Sequence, residues 1–208
     1  MKLHVKDTAL VVVDMQNAFL DEKGSMVARG FDIAPLLPSV EPCAELIGLA
    51  RAAGIQVVFT RFVYRSDYKD AGVSVRHFTP NTITTNSLAA GTWDVEIVGR
   101  LAPQRGDIVI DKNRPSAFIN TPLDGTLRNL GIRSLVICGI TTNICVETTA
   151  RDASQRDYET FVVRDATAEF DSNRYAVAIQ TLGFLFARIV TVNDARQAWS
   201  SGHDAARF

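Results

Sequence analysis

"RSLVICGITTNICVETTARDA", residues 133 to 153, begins as a strand and ends as a helix. Its first part, "SLVICG" (134 to 139), is nearly all apolar, the pattern of a strand buried on both faces of a parallel sheet. Beyond it Val146, Thr149, Ala150 and Ala153 recur at helical spacing. A strand passing straight into a helix is the building unit of an α/β fold. Cys145 stands at that junction.

Working outward, the same kind of strand recurs at 8 to 14 ("TALVVVD"), 55 to 60 ("IQVVFT"), 107 to 111 ("DIVID"), 159 to 164 ("ETFVVR") and 188 to 192 ("RIVTV"). Helical patterns fall between several of them: "SVEPCAELIGLARAAG", "PLDGTLRNLG", "CVETTARDASQRD" and "SNRYAVAIQTLG". Gly54, Gly131 and Gly183 stand where C-terminal caps belong. The alternation predicts a three-layer α/β/α fold around a six-stranded, mostly parallel sheet, with residues 1–208 forming a single domain. Residues 62–106 break the alternation. They are aromatic and polar, and a segment this long is expected to be a lid, a binding loop or a subunit contact.

Of the 208 residues, 47% are hydrophobic, enough for a sizeable core, and 22 Lys and Arg face 23 Asp and Glu. With a net charge of −1 and both signs interspersed, no basic stripe exists to neutralise phosphates or lie on an anionic membrane. The apolar run near the N-terminus is too short for a signal peptide, and no stretch approaches the ~18 apolar residues of a membrane span. Cys43, Cys138 and Cys145 lack CxxC spacing and leave one thiol over in any disulfide scheme, which points to a reducing, cytoplasmic setting.

Ligands of open parallel sheets bind beyond the carboxyl ends of the strands. Asp14, Lys112 and Cys145 all fall there. A helix start is expected to draw the Cys145 pKa below its free value of ~8.5. Asp14 would take the thiol proton and return it to a leaving amine. Lys112 would offset the carboxylate's charge, and backbone N–H groups at the helix start would receive an oxyanion. Histidine, the commoner base, is poorly placed: His4 and His203 lie near the termini and His77 in the long segment. Asn17 is a candidate for hydrogen-bonding a substrate amide. Arg61, Arg65, Arg76 and Arg114 are candidates for holding a carboxylate.

The blocks "ALVVVDMQNAFL", "IDKNRPSAFINTPLDGTLRNLGI" and "LVICGITTNICVETTARDA" resemble the isochorismatase-like cysteine hydrolase superfamily, in order and spacing, over most of the chain. The resemblance implies Asp14 as acid/base, Lys112 as the lysine of the triad and Cys145 as nucleophile. It implies a cis peptide between Ile140 and Thr141 that turns the Thr141 N–H beside that of Cys145 to form the oxyanion hole. Phe19 matches an aromatic pocket wall, and Ile140 joins Asn17, Phe19, Arg61 and Arg114 as expected substrate contacts.

Departures narrow the expected activity. True isochorismatases lack the nucleophilic cysteine, so Cys145 points to amide or ureide hydrolysis. Nicotinamidases carry a histidine-containing metal cluster after the second strand, where this chain reads "FTRFVYRSDYKD", so neither a metal nor another cofactor is expected. Biuret hydrolases place a glutamine shortly before the last strand; "TLGFLFARI" has none there. The ureidoacrylate amidohydrolase and N-carbamoyl amidohydrolase branch is the most similar in "GTWDVEIV", "SAFINTPLD" and "TNICVETTARD". Tyr175 departs from the histidine many relatives have. The resemblance further implies a homo-oligomer, a dimer or tetramer, acting on a small-molecule amide or ureide. Two rival readings are a non-catalytic binding protein that keeps the fold and a thiol sensor with Cys138 resolving Cys145.

Overall fold

The structure is a computed structural model and describes residues 5–200. Among the described residues, six strands form one sheet: β1 (Thr8–Val13), β2 (Gln56–Phe62), β3 (Ile108–Lys112), β4 (Ser134–Ile140), β5 (Glu159–Ala168) and β6 (Arg188–Val190). Their order is β3-β2-β1-β4-β5-β6, and every pairing is parallel, so the sheet is wholly rather than mostly parallel.

After β1 come two single turns, α1 (Asn17–Leu20) and α2 (Ser25–Ala28), then α3 (Val40–Ala52). The segment between β2 and β3 holds α4 (Gly72–His77) and α5 (Asn81–Thr84). The helices α6 (Leu123–Asn129), α7 (Glu147–Ser154), α8 (Ser172–Thr181) and α9 (Val192–Ser200) follow β3, β4, β5 and β6. Crossovers carry the chain outward from β1 in one direction and from β4 in the other, and helices pack on both faces of the sheet. On one face α3 packs with α9; on the other α7 and α8 pack around the turns that end β4 and α8. Every residue of β1 and β4 is buried, as their unbroken apolar runs require.

Reversal of strand order between β1 and β4 opens a crevice at their carboxyl ends. The two strands approach closely at Gly139, where φ is +107° and a Cβ would lie 2.1 Å from the Val13 carbonyl oxygen. Only glycine fits there.

Strand ends run past their expected limits. The second strand continues through Phe62, and Lys112 closes β3 rather than following it. β5 continues to Ala168 because its register shifts between the partners of Ile137 and Gly139, leaving Arg164 and Asp165 exposed in mid-strand. Gly183 is not a helix cap: the chain continues past it in a π-helical turn, Leu182–Phe186, and the glycine packs closely under Ile189. The long segment is ordered against the body. Gln16 bridges to Ile97 and Tyr64 to Ala89, and Tyr68, Val75, Leu88, Val95 and Leu101 are buried.

Candidate active site

Asp14 leaves β1 with φ at 53°, a left-handed conformation uncommon outside glycine. Its N–H donates to the Thr60 carbonyl at 3.1 Å, and its own carbonyl accepts from the Gln16 N–H at 2.8 Å. The kink aims the carboxylate into the crevice floor, where the Thr60 hydroxyl donates to Oδ1 at 2.7 Å. Lys112 Nζ lies 2.7 Å from Oδ2, and both side chains are fully buried. Lys112 stands opposite Phe62 in the β2–β3 register and carries its ammonium 4.1 Å from that ring's centroid. The same ammonium donates to the Arg114 carbonyl at 3.2 Å and lies 3.5 Å from Cys145 Sγ.

Cys145 sits in a π-helical turn, Thr142–Val146, that joins β4 to α7. Such turns are rare and recur at functional sites. The turn is braced from β5: Thr167 donates to the Gly139 carbonyl at 2.7 Å and pairs with the Thr142 hydroxyl at 2.9 Å. Buried Glu169 accepts from the Asn143 N–H at 3.2 Å. The Ile140–Thr141 peptide is cis, as the resemblance implied.

The thiol's acidity is the reverse of the helix-start expectation. Burial pushes Cys145 up to about 12, Lys112 draws it down, and Asp14 raises it by charge and by hydrogen-bonding the thiol. The resting group is therefore a neutral thiol beside a carboxylate and an ammonium. That arrangement suits proton transfer to Asp14 once a carbonyl arrives.

The expected substrate contacts separate. Ile140 is buried at the end of β4, and Phe19 is buried in the core within α1. Asn17 donates its side-chain amide to the Trp93 carbonyl at 2.9 Å, which ties α1 to the long segment. Arg61 alternates away from Thr60 and Phe62 along β2, and its fork holds Asp111 at 2.7 and 3.0 Å, with Glu96 at 3.5 Å. Geometry thus keeps it out of the cluster. Arg114 donates to the carbonyls of Asp70 and Asn113 at 2.9 and 2.6 Å, while Arg65 pairs with Asp67 on the surface. Arg76 and His77 are exposed at the end of α4; His4 and His203 lie outside the described residues.

Cys138 is buried against Cys43 of α3, and hydrogen bonding with that thiol, with burial second, raises its pKa. Tyr175 donates to the Arg164 carbonyl at 2.8 Å, beside a groove also lined by Glu169 and Phe170. Thr60, Gln16 and Glu169 are not among the residues the sequence marks out. The one available signal was a polar residue at the carboxyl end of an apolar strand, which Thr60 displays. Among the described residues, no group of three or more His, Cys, Asp or Glu side chains is arranged to hold a metal ion.

Comparison with known proteins identifies the family. An isochorismatase domain matches residues 8–194. The ureidoacrylate amidohydrolase RutB of Azorhizobium caulinodans is 38% identical, over 96% of this chain and 93% of that protein. A cysteine hydrolase from Pseudomonas syringae pv. phaseolicola superposes with a TM-score of 0.89 at 29% identity, covering 98% of this chain and 97% of its own. The N-carbamoylsarcosine amidase of Thermoplasma acidophilum follows the fold at a TM-score of 0.73 and 29% identity, over 93% of this chain and 98% of its own. Matched along nearly its whole length, the chain belongs to the isochorismatase family.

Proposed function

We propose that the chain is a cysteine-dependent amidohydrolase that cleaves a C–N bond of a small ureido, carbamoyl or primary amide compound. The observation that carries this reading is the buried Cys145 sulfur, 3.5 Å from Lys112 Nζ, beside the buried Asp14–Lys112 ion pair. Relatives named for ureidoacrylate and N-carbamoylsarcosine support a carbonyl flanked by nitrogen as the reacting group.

The cycle closes with these side chains and water. Asp14 accepts the thiol proton as sulfur attacks the carbonyl carbon, forming the C–S bond. The N–H groups of Thr141 and Cys145 receive the oxyanion. Collapse breaks the C–N bond, and Asp14 gives its proton to the departing nitrogen, which leaves as ammonia or amine. Asp14 next takes a proton from water, whose oxygen attacks the thioester; sulfur leaves and regains a proton. From a ureide the released acid is a carbamate, which decomposes to carbon dioxide and amine. Lys112, held between carboxylate and sulfur, offsets negative charge at each stage.

Exposed apolar surface supports a homo-oligomer, and the free, buried cysteines support a cytoplasmic setting. No helix among the described residues is long and apolar enough to cross a membrane. The decisive experiment measures ammonia release from ureides, N-carbamoyl acids and small carboxamides, with wild type and Cys145→Ala side by side. Turnover of one class, reduced about 10⁴-fold or more in the variant, is expected. Turnover that survives the substitution overturns the thioester mechanism.

A further inference from the structure

Cys145 is the first of three residues that meet one loop. Thr149 and Asp152 follow it by four and seven positions, the spacing that puts side chains on one side of a helix. All three contact the segment that leaves β3, residues 112–118. Lys112 Nζ lies 3.5 Å from Cys145 Sγ. The Ala117 N–H donates to the Thr149 hydroxyl oxygen at 3.0 Å, and the Ser116 hydroxyl donates to Asp152 Oδ2 at 2.5 Å. The nucleophile turn and α7 are thus bolted to the loop that carries the lysine.

Ser116 and Thr149 are buried, and Asp152 is partly so. The Ser116 hydroxyl also accepts from the Phe118 N–H at 3.2 Å, so it both gives and receives. One turn further along, Arg156 brings Nη1 to 3.4 Å from Asp152 Oδ1 and its guanidinium to 4.9 Å from the centroid of the Phe118 ring. These bonds join the blocks "NRPSAF" and "TTARDA", whose Ser116 and Asp152 have no part in the reaction cycle above. The Lys112 ammonium, by contrast, is shared. It reaches Asp14 Oδ2, Cys145 Sγ and the carbonyl of Arg114, two residues before Ser116. A slip of the loop along α7 would change these distances together, and about 1 Å of misplacement at a reacting centre can cost ~10²-fold in rate.

We propose that Ser116 and Asp152 form a positioning pair, which seats the nucleophile helix against the Lys112 loop so that one ammonium reaches sulfur and carboxylate together. The pair touches neither substrate nor reacting atoms and acts through Lys112 and Cys145. This role rests on the amidohydrolase reading above.

The test is steady-state kinetics on whichever substrate the ammonia-release panel identifies, with folding followed by circular dichroism. Ser116→Ala and Asp152→Ala should each lower kcat roughly 10- to 100-fold while KM stays within about twofold. Their combination should be no worse than the more damaged single variant, because both break one contact. Asp152→Asn, which keeps an acceptor for the Ser116 hydroxyl, should recover most of kcat. Asp152→Glu keeps the charge but lengthens the arm, so it should lower kcat more than Asp152→Asn does. Arg151→Ala removes the Glu147 pair and the contact with the Phe186 ring, which loosens α7 away from the loop, and should leave kcat near wild type. Folded alanine variants with wild-type kcat, losses that multiply in the double variant, or an Arg151→Ala as slow as Asp152→Ala overturn the positioning role while hydrolysis stands. An Asp152→Glu faster than Asp152→Asn overturns it too, even where an alanine variant fails to fold. A wild type that hydrolyses nothing in the panel overturns the amidohydrolase reading, and the role of the pair with it.

Discussion

Cys145 stays protonated because burial disfavours a thiolate more than Lys112 favours one, and the Asp14 carboxylate adds to the penalty. In the absence of substrate, alkylation by iodoacetamide should therefore keep accelerating above pH 9, past the ~8.5 at which an ordinary cysteine is half ionised. A rate that levels off below pH 8 would contradict the environment described. The sign for stability follows from the same shift. A group whose folded pKa is raised contributes stability that is complete below its unfolded pKa. That contribution is lost as pH climbs toward about 12. Asp14→Asn separates acidity from catalysis. It removes a charge that holds the proton on sulfur but leaves Lys112, so labelling at pH 8 should speed up. Turnover should nonetheless fall about 10²-fold or more, because no base remains to pass the proton to the leaving nitrogen. Labelling no faster than wild type would show that Asp14 does not govern the thiol.

At the level of elements, the site depends on how strand ends are pinned. Gln16 donates to the carbonyls of Phe62 and Val95 at 3.0 Å each and accepts from the Phe62 N–H at 2.7 Å, clamping β2 and the long segment to the end of β1. Gln16→Leu leaves those buried backbone groups unpaired and should lower stability by about 2–4 kcal/mol, read from urea midpoints. Gly139→Ala should do at least as much harm, since its Cβ would strike main chain rather than a yielding side chain. Much of this was legible beforehand. Strands such as "LVVV" and "SLVIC" stand out because both faces are buried, and Asp14, Lys112 and Cys145 because they lie at the mouths of such strands. What escaped notice has a physical reason. Phe62 and Lys112 extend their strands only because the parallel register continues to them, and β5 runs through Arg164 and Asp165 because its register breaks there. Thr60, Gln16 and Glu169 gain their roles from partners far away in sequence, which periodicity does not reveal. The Cys145 acidity was misjudged because the helix start was weighed without the desolvation that outweighs it.

Across the whole molecule, the back of the nucleophile turn adjoins a surface that water should not favour. Val177, Phe184 and Leu185 are 61%, 86% and 69% exposed, and their spacing places them on one side of α8 and its π-helical extension. Ile144, one residue before Cys145, is itself 47% exposed in the turn that packs on α8. Contiguous apolar surface of this kind on a folded domain marks an interaction face. Closed assemblies built from one chain place the same patch on both partners, so a second copy is the natural cover. Light scattering on purified protein should give a dimer or tetramer mass, and Phe184→Asp combined with Leu185→Asp should shift it to the monomer. The same variant reports on the site. If a neighbouring copy supports the turn carrying Cys145, dissociation should lower kcat while the chain keeps its folded circular dichroism spectrum. An unchanged mass in the double variant would assign that exposed stripe some other purpose and leave the nucleophile turn supported by Thr167 and Glu169 alone.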